Sequence, residues 1–433
     1  MVANLMNFYK IKFRKISLLF GFALAVFWLS ISSFYRLTPI EFLKQSARII
    51  AVPVYSYIYR EDTKYVKDVT SKYWVGYPNI LAESSFESWK RLQKTVPGFR
   101  LISYDIQGLN HYPIPFVYEN PNAEYLQAFR AKYHLNSLIR DSHDEYDAML
   151  RLGAWLGTRW DHGTDEVPGG NTVCDPVAVV EAGQHGAKFW CEIAAKTTVH
   201  AATALGWQAR LVTASRDGYT WEHAAAEIWS NQFNKWFVMD TDFNVVYESS
   251  GVPLSAFELV HLGEKLQRSG QLKVRNIAPR KTSLPLVDLI PFYNYAHVDM
   301  RNDWCSRPLH RGSPAGGDTA TWWTSRYHIN ELTAKRKVNN LTRFNWPVNS
   351  VAIYVISAKR LNNNQINFQI GLSGYSPIFK AFEIIIDSGN WQRLEGNKFD
   401  FTVLTGEHKI LIRLLTTFGF IGPESKIVFS ILE

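Results

Sequence analysis

The sequence predicts an α+β fold, because one helix of small residues precedes antiparallel strands and further strands fill the C terminus. Glu192–Leu205 is rich in Ala and Thr and stops at Gly206, which predicts a closely packed helix. Ala209–Ala214, His223–Trp229 and Lys235–Asp240 are typical of strands, and the polar residues between the last two predict a hairpin turn.

Length and composition indicate a folded protein with more than one domain. The chain has 433 residues, of which 46% are hydrophobic, 14% aromatic and 20% charged, so about two or three domains are expected. The net charge of +8 comes from 47 basic and 39 acidic residues, and part of this excess lies at the amino terminus. No basic run elsewhere is typical of nucleic-acid binding, so no nucleic-acid partner is expected.

The amino terminus predicts a membrane anchor. Residues 1–15 form a basic segment, and residues 16–35 contain no charged side chain over a length that crosses a hydrocarbon core of roughly 30 Å. The basic segment should stay in the cytoplasm, which places the bulk of the chain in the periplasm or outside the cell. A cleaved signal peptide is the alternative, but Ser30–Ile31–Ser32 is a poor cleavage site, so an uncleaved single-pass anchor is favoured.

Two helices are expected after an N-terminal extension over residues 36–118, in which Phe99–Ile106 has the character of a strand. Asn120–Pro121 places a capping residue before proline, a favoured helix start. Ser142–Glu145 has the spacing of a capping box. The apolar positions after it recur on one helix face: Met149, Leu152, Leu156 and Trp160.

The C-terminal part of the chain predicts an antiparallel β-sandwich. Residues 251–344 are rich in proline and basic side chains and are expected to form an irregular connection, in which Leu254–Gly263 is a candidate helix. Residues 345–433 contain short alternating segments at close spacing, typical of an immunoglobulin-like sandwich. These segments are Val351–Val355, Ile366–Leu372, Phe382–Asp387, Phe399–Val403, Lys409–Leu414 and Lys426–Ile431.

Three residues suggest thiol chemistry. Cys191 falls at the start of the Ala/Thr-rich helix, where free N–H groups and the positive end of the helix dipole favour a thiolate. His223 begins one predicted strand and Asp240 ends the next. In a thiol acyl-transfer site the thiolate attacks a carbonyl, an imidazole moves the proton, and a carboxylate fixes the orientation and tautomer of the imidazole.

The predicted hairpin brings two aspartates towards His223. If the turn is centred between Gln232 and Phe233, His223 lies opposite Asp242, and Asp240 is its diagonal neighbour. Side chains alternate along a strand, so both aspartates share the face of the histidine. Asp240 is the expected orienter, and Asp242 is the alternative.

The surrounding sequence resembles the transglutaminase-like superfamily over about residues 120–245. The family has a glycine and an aromatic residue before its cysteine, as in Gly186–Cys191 here, and a "Gly–x–x–Ala–Arg" strand entry, as in Gly206–Arg210. Its "His–Ala–x–x–Glu" strand is similar to His223–Trp229, and its closing "Trp–x–x–x–Asp–Pro–Thr" strand resembles Trp236–Asp242.

This resemblance implies a papain-like cysteine-protease core, here a catalytic domain over residues 119–250. It implies that Cys191 is the nucleophile, His223 the base and acid, and Asp240 the orienter. No cofactor is implied, and the substrate class would be a protein or peptide.

The motifs depart from the family at two positions. Thr241 stands where proline usually follows the aspartate, which keeps Asp242 open as the orienter. Ala225 stands where the family usually has Trp or Tyr two residues after the histidine, and this smaller side chain would open the site. The upstream helix with Trp155 and Trp160 is similar to that of the bacterial branch.

The remaining polar candidates concern an oxyanion site and a disulfide. The backbone N–H of Cys191 is one candidate donor for the oxyanion, and Gln184, a few residues upstream, is another. If Cys191 is a free nucleophile, Cys174 and Cys305 form the only other pair, although three reduced thiols are the alternative. The cysteines lack zinc-site spacing, so no metal is expected.

Two functions follow from these features. The first is a membrane-anchored, extracytoplasmic cysteine enzyme that acts on amide bonds through an acyl-thioester, as a peptidase, an amidase or a cross-linking acyltransferase. An anchor, a thiol core and a sandwich suit work on cell-envelope protein or peptide. The alternative is a non-catalytic binding or assembly protein of the envelope that keeps the same fold.

Overall fold

The structure is a computed structural model that describes residues 63–76, 82–105, 114, 116–218, 220–285, 287–307, 321–327, 336–362 and 364–432. The predicted cytoplasmic segment (1–15) and membrane anchor (16–35) lie outside these residues. Among the helices of the described ranges, none has the length and apolar character needed to cross a membrane.

The described ranges hold nine α-helices and eighteen strands. The helices are α1 Thr63–Ser71, α2 Ala82–Thr95, α3 Glu124–Lys132, α4 Leu135–Ile139, α5 Glu145–Gly157, α6 Pro176–Gln184, α7 Cys191–Ala204, α8 Ala256–Arg268 and α9 Leu341–Phe344. The first eleven strands are β1 Trp74–Gly76, β2 Phe99–Asp105, β3 Ala209–Ser215, β4 His223–Ser230, β5 Lys235–Asp240, β6 Val245–Ser249, β7 Val252–Pro253, β8 Leu272–Asn276, β9 Tyr295–Asp299, β10 Thr321–Ser325 and β11 Arg336–Lys337. The others are β12 Ser350–Asn362, β13 Gln365–Tyr375, β14 Phe379–Ile386, β15 Gln392–Leu394, β16 Lys398–Leu404, β17 Gly406–Thr416 and β18 Ser425–Ile431.

A nine-stranded sheet carries the predicted site residues of the hairpin. Its order is β11-β10-β9-β3-β4-β5-β6-β7, with β8 paired to β6. All pairs are antiparallel except β10–β11. The predicted α+β class is confirmed in this coarse form, since helices pack beside antiparallel sheets.

Helix α7 packs against β3 and β4, and small side chains permit the close approach. Every residue of α7 from Ile193 onward is buried. The hydroxyl of Thr198 bonds back to the Ala194 carbonyl at 2.8 Å and meets the Thr241 hydroxyl at 2.8 Å. This contact joins the helix that begins with Cys191 to the chain just after β5.

Two further sheets pack face to face around one apolar core, as in a β-sandwich. We call them the paired sheets: β12, β13, β16 and β1 form one, and β14, β15, β17, β18 and β2 form the other. The six strands predicted after residue 345 are confirmed: five fall within a strand, and Phe382–Asp387 overlaps β14, which ends at Ile386. Their inward side chains form a shared cluster that includes Phe368, Ile412 and Phe429.

The N-terminal extension completes the paired sheets. Strand β1 pairs with β13, strand β2 pairs with β18, and Trp89 of α2 is fully buried in the same apolar cluster. The strand expected at Phe99–Ile106 is therefore present, but its partner lies more than 300 positions along the chain, at Lys426–Ile431. Residues 345–433 alone do not make up this core.

The structure differs from the irregular connection expected over residues 251–344. The candidate helix at Leu254–Gly263 is confirmed as α8, although α8 runs from Ala256 to Arg268 and begins with a complete capping box at Ser255 and Glu258. Strands β9 and β10 extend the nine-stranded sheet beyond β3. These strands are determined by their neighbours in space, and their local sequence does not predict them. Short buried strands lack a clear alternation of apolar and polar residues.

Two predicted helix starts also need correction. Helix α3 begins at Glu124 rather than at Pro121, because Asn120 closes a turn by accepting the backbone N–H of Ala123 at 2.8 Å. Helix α5 begins at Glu145 with Asp144 as its N-cap, so the capping residue is not Ser142. All elements belong to one compact unit, Glu61–Arg326 with Arg336–Glu433.

Candidate active site

Three element ends meet at the candidate site. Cys191 is the first residue of α7, His223 the first of β4, and Asp240 the last of β5. The chain enters α7 through Trp190, whose extended backbone (φ −85°, ψ 174°) puts Cys191 in the first turn. The thiol is partly buried and is the one free cysteine of the three in the chain.

The β4–β5 hairpin has the predicted register. Ala226 pairs with Met239, and Ser230 pairs with Lys235, as expected for a turn centred between residues 232 and 233. This register prediction is confirmed. It places His223 beside Asp240, and Nε2 of the imidazole donates to Oδ2 of the carboxylate at 2.6 Å.

Backbone hydrogen bonds hold the Asp240 carboxylate independently of the imidazole. Its Oδ1 accepts the backbone N–H groups of Asp242 at 3.1 Å and Phe243 at 3.0 Å. The rings of Phe243 and Phe292 lie 5.1 and 5.6 Å from the imidazole of His223 and help to exclude water.

The electrostatics of this pair favour an imidazolium. Burial by itself would lower the pKa of His223, but the charge and hydrogen bond of Asp240, followed by those of Cys191, raise it well above the ordinary value. With Nε2 engaged by Asp240, Nδ1 is left to meet the thiol. The arrangement can therefore hold a thiolate–imidazolium pair.

Asp242 contacts His162 and Lys281. Its carboxylate accepts from Nδ1 of His162 at 2.9 and 3.1 Å and lies 3.5 Å from Nζ of Lys281. The carboxylate bonded to the His223 ring is that of Asp240, so Asp242 does not take the orienting position in the described structure. Sequence reasoning missed both His162 and Lys281.

Loop contacts position these two missed residues. His162 forms an isolated parallel bridge with Phe189, two residues before Cys191. Lys281 follows β8, and its neighbours Thr282 and Ser283 donate to Asp161 at 2.8 and 2.7 Å. No periodic pattern marks either residue, and the only local hint is that His162 directly follows an acidic residue.

Among the described residues, no hydrogen bond joins Gln184 to the Cys191 thiol. Gln184 ends α6 and is exposed. The Cys191 backbone N–H remains a candidate oxyanion donor, because the first N–H groups of an α-helix have no partner within the helix. His200, further along α7, is buried next to Tyr125, and burial lowers its pKa to about 4.

A disulfide joins Cys174 to Cys305, with Cα atoms 5.3 Å apart. Cys174 lies just before α6, whose N-cap Asp175 accepts the backbone N–H of Ala178 at 2.9 Å. The bridge ties this helix start to the chain after β9, across 131 positions of sequence.

The donor set of the site bears on metal binding as well. One ligand atom each of Cys191, His223 and Asp242 lie within 4.8 Å of one another. Sulfur, imidazole and carboxylate are donors that Zn²⁺ accepts. However, Lys281 already places a positive charge 3.5 Å from Asp242. This charge opposes a second cation, so the set fits a thiol–imidazole pair better than a metal centre.

A thiol, an imidazole and a carboxylate lie together at this site: the His223 ring is bonded to Asp240, and one ring nitrogen of His223 lies within 4.8 Å of the Cys191 sulfur. No protein-family model matches the chain, and a search of the curated proteins finds no match. The resemblance to the transglutaminase-like superfamily therefore stands on the motifs around Cys191, His223 and Asp240.

Proposed function

We propose that the protein is a transglutaminase-like cysteine enzyme that transfers acyl groups from amides through a thioester on Cys191. The observation that carries this proposal is the 2.6 Å contact between His223 and Asp240 beside a free thiol at a helix start. Helix α7 packed on an antiparallel sheet is also the arrangement expected of a papain-like core.

The reaction begins with the thiolate–imidazolium pair. The Cys191 sulfur attacks the amide carbonyl, and the C=O electron pair moves onto oxygen to form a tetrahedral intermediate. The His223 imidazolium then gives its proton to the leaving nitrogen, the C–N bond breaks, and an acyl-thioester remains. Asp240 holds Nε2 throughout, so Nδ1 faces the reacting atoms.

The second half of the reaction releases the acyl group. Water or an amine attacks the thioester carbonyl while neutral His223 takes its proton. The C–S bond breaks, sulfur leaves as a thiolate, and the imidazolium pair is restored. Water gives hydrolysis, whereas a primary amine gives a new amide and hence cross-linking.

The proposed location is the cell envelope. The predicted anchor over residues 16–35 would hold the chain on the outer face of the membrane. A disulfide between Cys174 and Cys305 suits an oxidising compartment. Envelope protein or peptide is therefore the proposed substrate class.

An activated ester tests the proposal without knowledge of the natural substrate. With p-nitrophenyl acetate the wild-type protein should release a burst of about one nitrophenolate per chain and carry an acetyl group on Cys191. Cys191→Ala should show neither, and His223→Ala should slow the burst. An added primary amine that accelerates turnover indicates transfer, and no effect indicates hydrolysis.

The opposite outcome favours the binding role. If wild-type protein shows no burst and no Cys191 adduct, or if His223→Ala acylates as fast as wild type, the enzyme proposal fails. A non-catalytic envelope binding or assembly protein would then be the better account.

A further inference from the structure

The candidate site contains a second buried carboxylate next to the thiol. Asp242 is 1% exposed, and one of its oxygens lies within 4.8 Å of both the Cys191 sulfur and a His223 nitrogen. An uncompensated anion at this distance would disfavour a thiolate, because like charges raise the cost of ionisation. A site that works through a thiolate therefore needs a cation for Asp242.

Lys281 supplies that cation from inside the protein. Its side chain is 3% exposed, with Nζ 3.5 Å from Oδ1 of Asp242 and 5.6 Å from the ring centre of Trp160. Burial lowers the pKa of Lys281, while the charges of Asp242, Asp240 and Asp161 oppose that effect. The net result is a lowered pKa, and the contact with Asp242 at 3.5 Å is the geometry that favours the ammonium form.

His162 is the second partner of Asp242. Its Nδ1 donates to both carboxylate oxygens, and its side chain is 30% exposed. It can therefore orient Asp242 while remaining open to water. A buried ammonium is screened less by salt and water than a partly exposed ring, so Lys281 should contribute more of the local positive charge than His162.

Asp161 holds the loop that carries Lys281, Thr282 and Ser283, which we call the lysine loop. Asp161 accepts from the hydroxyls of Thr282 and Ser283, directly after Lys281. Burial would raise the pKa of Asp161, but these hydrogen bonds and the backbone N–H of His162 outweigh it and lower the pKa to about 2. Asp161 thus joins the lysine loop to the segment that carries His162.

We propose that Lys281 is a positioning residue of the thiol site, whose buried ammonium balances the charge of Asp242 and so permits the Cys191 thiolate to form beside it. The inference rests on the proposed function, since it presumes that Cys191 reacts as a thiolate. It assigns Asp242 a structural charge that has to be neutralised, rather than the orienting role.

Alkylation of Cys191 by iodoacetamide between about pH 5 and pH 8 tests this proposal on the full chain. Lys281→Met should slow alkylation on the order of tenfold near pH 6, as a shift of about one pH unit in the profile would require. Lys281→Arg, which keeps the charge, should recover most of the rate. Lys188→Met is the matched control, because Lys188 is exposed and three residues from Cys191, and it should react like wild type.

A double variant separates charge from packing. In Lys281→Met/Asp242→Asn both members of the ion pair are gone, so alkylation at low pH should return towards the wild-type rate. A double variant as slow as Lys281→Met, or a Lys281→Met profile identical to wild type, would overturn the inference. Wild-type Cys191 that stays inert below about pH 7 would instead overturn the proposed function.

Discussion

The Nε2 atom of His223 lies 2.6 Å from Oδ2 of Asp240, and the two side chains are only 2% and 0% exposed. Such a hydrogen bond between a shielded imidazole and a shielded carboxylate fixes both the tautomer and the direction of the ring. Asp240 is in turn held by two backbone N–H groups of the turn after β5. The orientation of the imidazole is therefore set by the hairpin itself.

The two neighbouring aspartates should differ in their effect on acyl transfer. Asp240→Asn removes the negative charge beside the imidazolium. Because the position of Oδ1 accepts two backbone N–H groups, the new amide NH2 would take the position of Oδ2 and face Nε2 of His223, so acylation should slow on the order of 10²–10⁴-fold. Asp242→Asn should cost much less, because Asp242 contacts His162 and Lys281 rather than the His223 ring. Burst kinetics with p-nitrophenyl acetate measure both, and a larger loss in Asp242→Asn would reassign the orienter.

Protonation of His223 should make stability depend on pH. In Cys191→Ala, which removes the second titrating partner, Asp240 still raises the folded-state pKa of His223 above the ordinary 6.5. The imidazolium then stabilises the fold fully below about pH 6.5, and this contribution is lost as the pH rises through the raised folded-state pKa. The free energy of unfolding should fall by up to about 1.4 kcal/mol per pH unit in that window.

Urea unfolding at a series of pH values measures this dependence. The control is Cys191→Ala/His223→Gln, which lacks the His223 ring and should give a flatter curve. A free energy that rises with pH in Cys191→Ala, or the same slope in both variants, would contradict the raised pKa of His223.

The disulfide should account for a measurable share of stability. It closes a loop of 131 positions, so Cys174→Ser should lower the free energy of unfolding by about 2–4 kcal/mol. Unfolded, unreduced protein should show one thiol in the wild type and two in Cys174→Ser, since Cys305 is released. Three thiols in the wild type would contradict the bridge.

Breaking a buried ion pair should lower the free energy of unfolding more than breaking an exposed one. Arg210 Nε lies 2.7 Å from Glu227, and its guanidinium carbon is 4.3 and 4.5 Å from the ring centres of Trp236 and Trp346. Both charged side chains are fully buried. Arg210→Met leaves Glu227 unpaired and should cost about 3–5 kcal/mol in urea unfolding.

The exposed pair of Arg268 and Glu264 provides the matched control. Arg268 is 77% exposed, so Arg268→Met should change the free energy of unfolding by about 0–1 kcal/mol. Equal losses of unfolding free energy in Arg210→Met and Arg268→Met would contradict the expectation that the buried Arg210–Glu227 pair contributes more to stability.

Local signals made part of the site predictable. The turn residues between β4 and β5 fix the hairpin register, and alternation along β4 then fixes the face of His223. The Ala/Thr composition of α7 and the glycine after it set the helix that begins with Cys191. These features depend on residues that are close in sequence, so they can be predicted from a single amino-acid sequence.

Contacts between distant segments escaped prediction. The pairing of β2 with β18 joins opposite ends of the described chain, and no local pattern encodes it. The same holds for Lys281, which contacts Asp242 from a loop that is bonded to Asp161. Loop residues lack periodicity, and their positions follow from tertiary packing.

The thiolate absorbance of Cys191 in the ultraviolet, recorded as the difference from Cys191→Ala while the pH is lowered, is the decisive measurement. Since the other two cysteines are bridged, the signal reports one sulfur. The thiolate band should persist into mildly acidic solution in the wild type and should disappear there in His223→Ala. A band that vanishes below about pH 8 in the wild type, or is indifferent to His223, would contradict the thiolate–imidazolium pair.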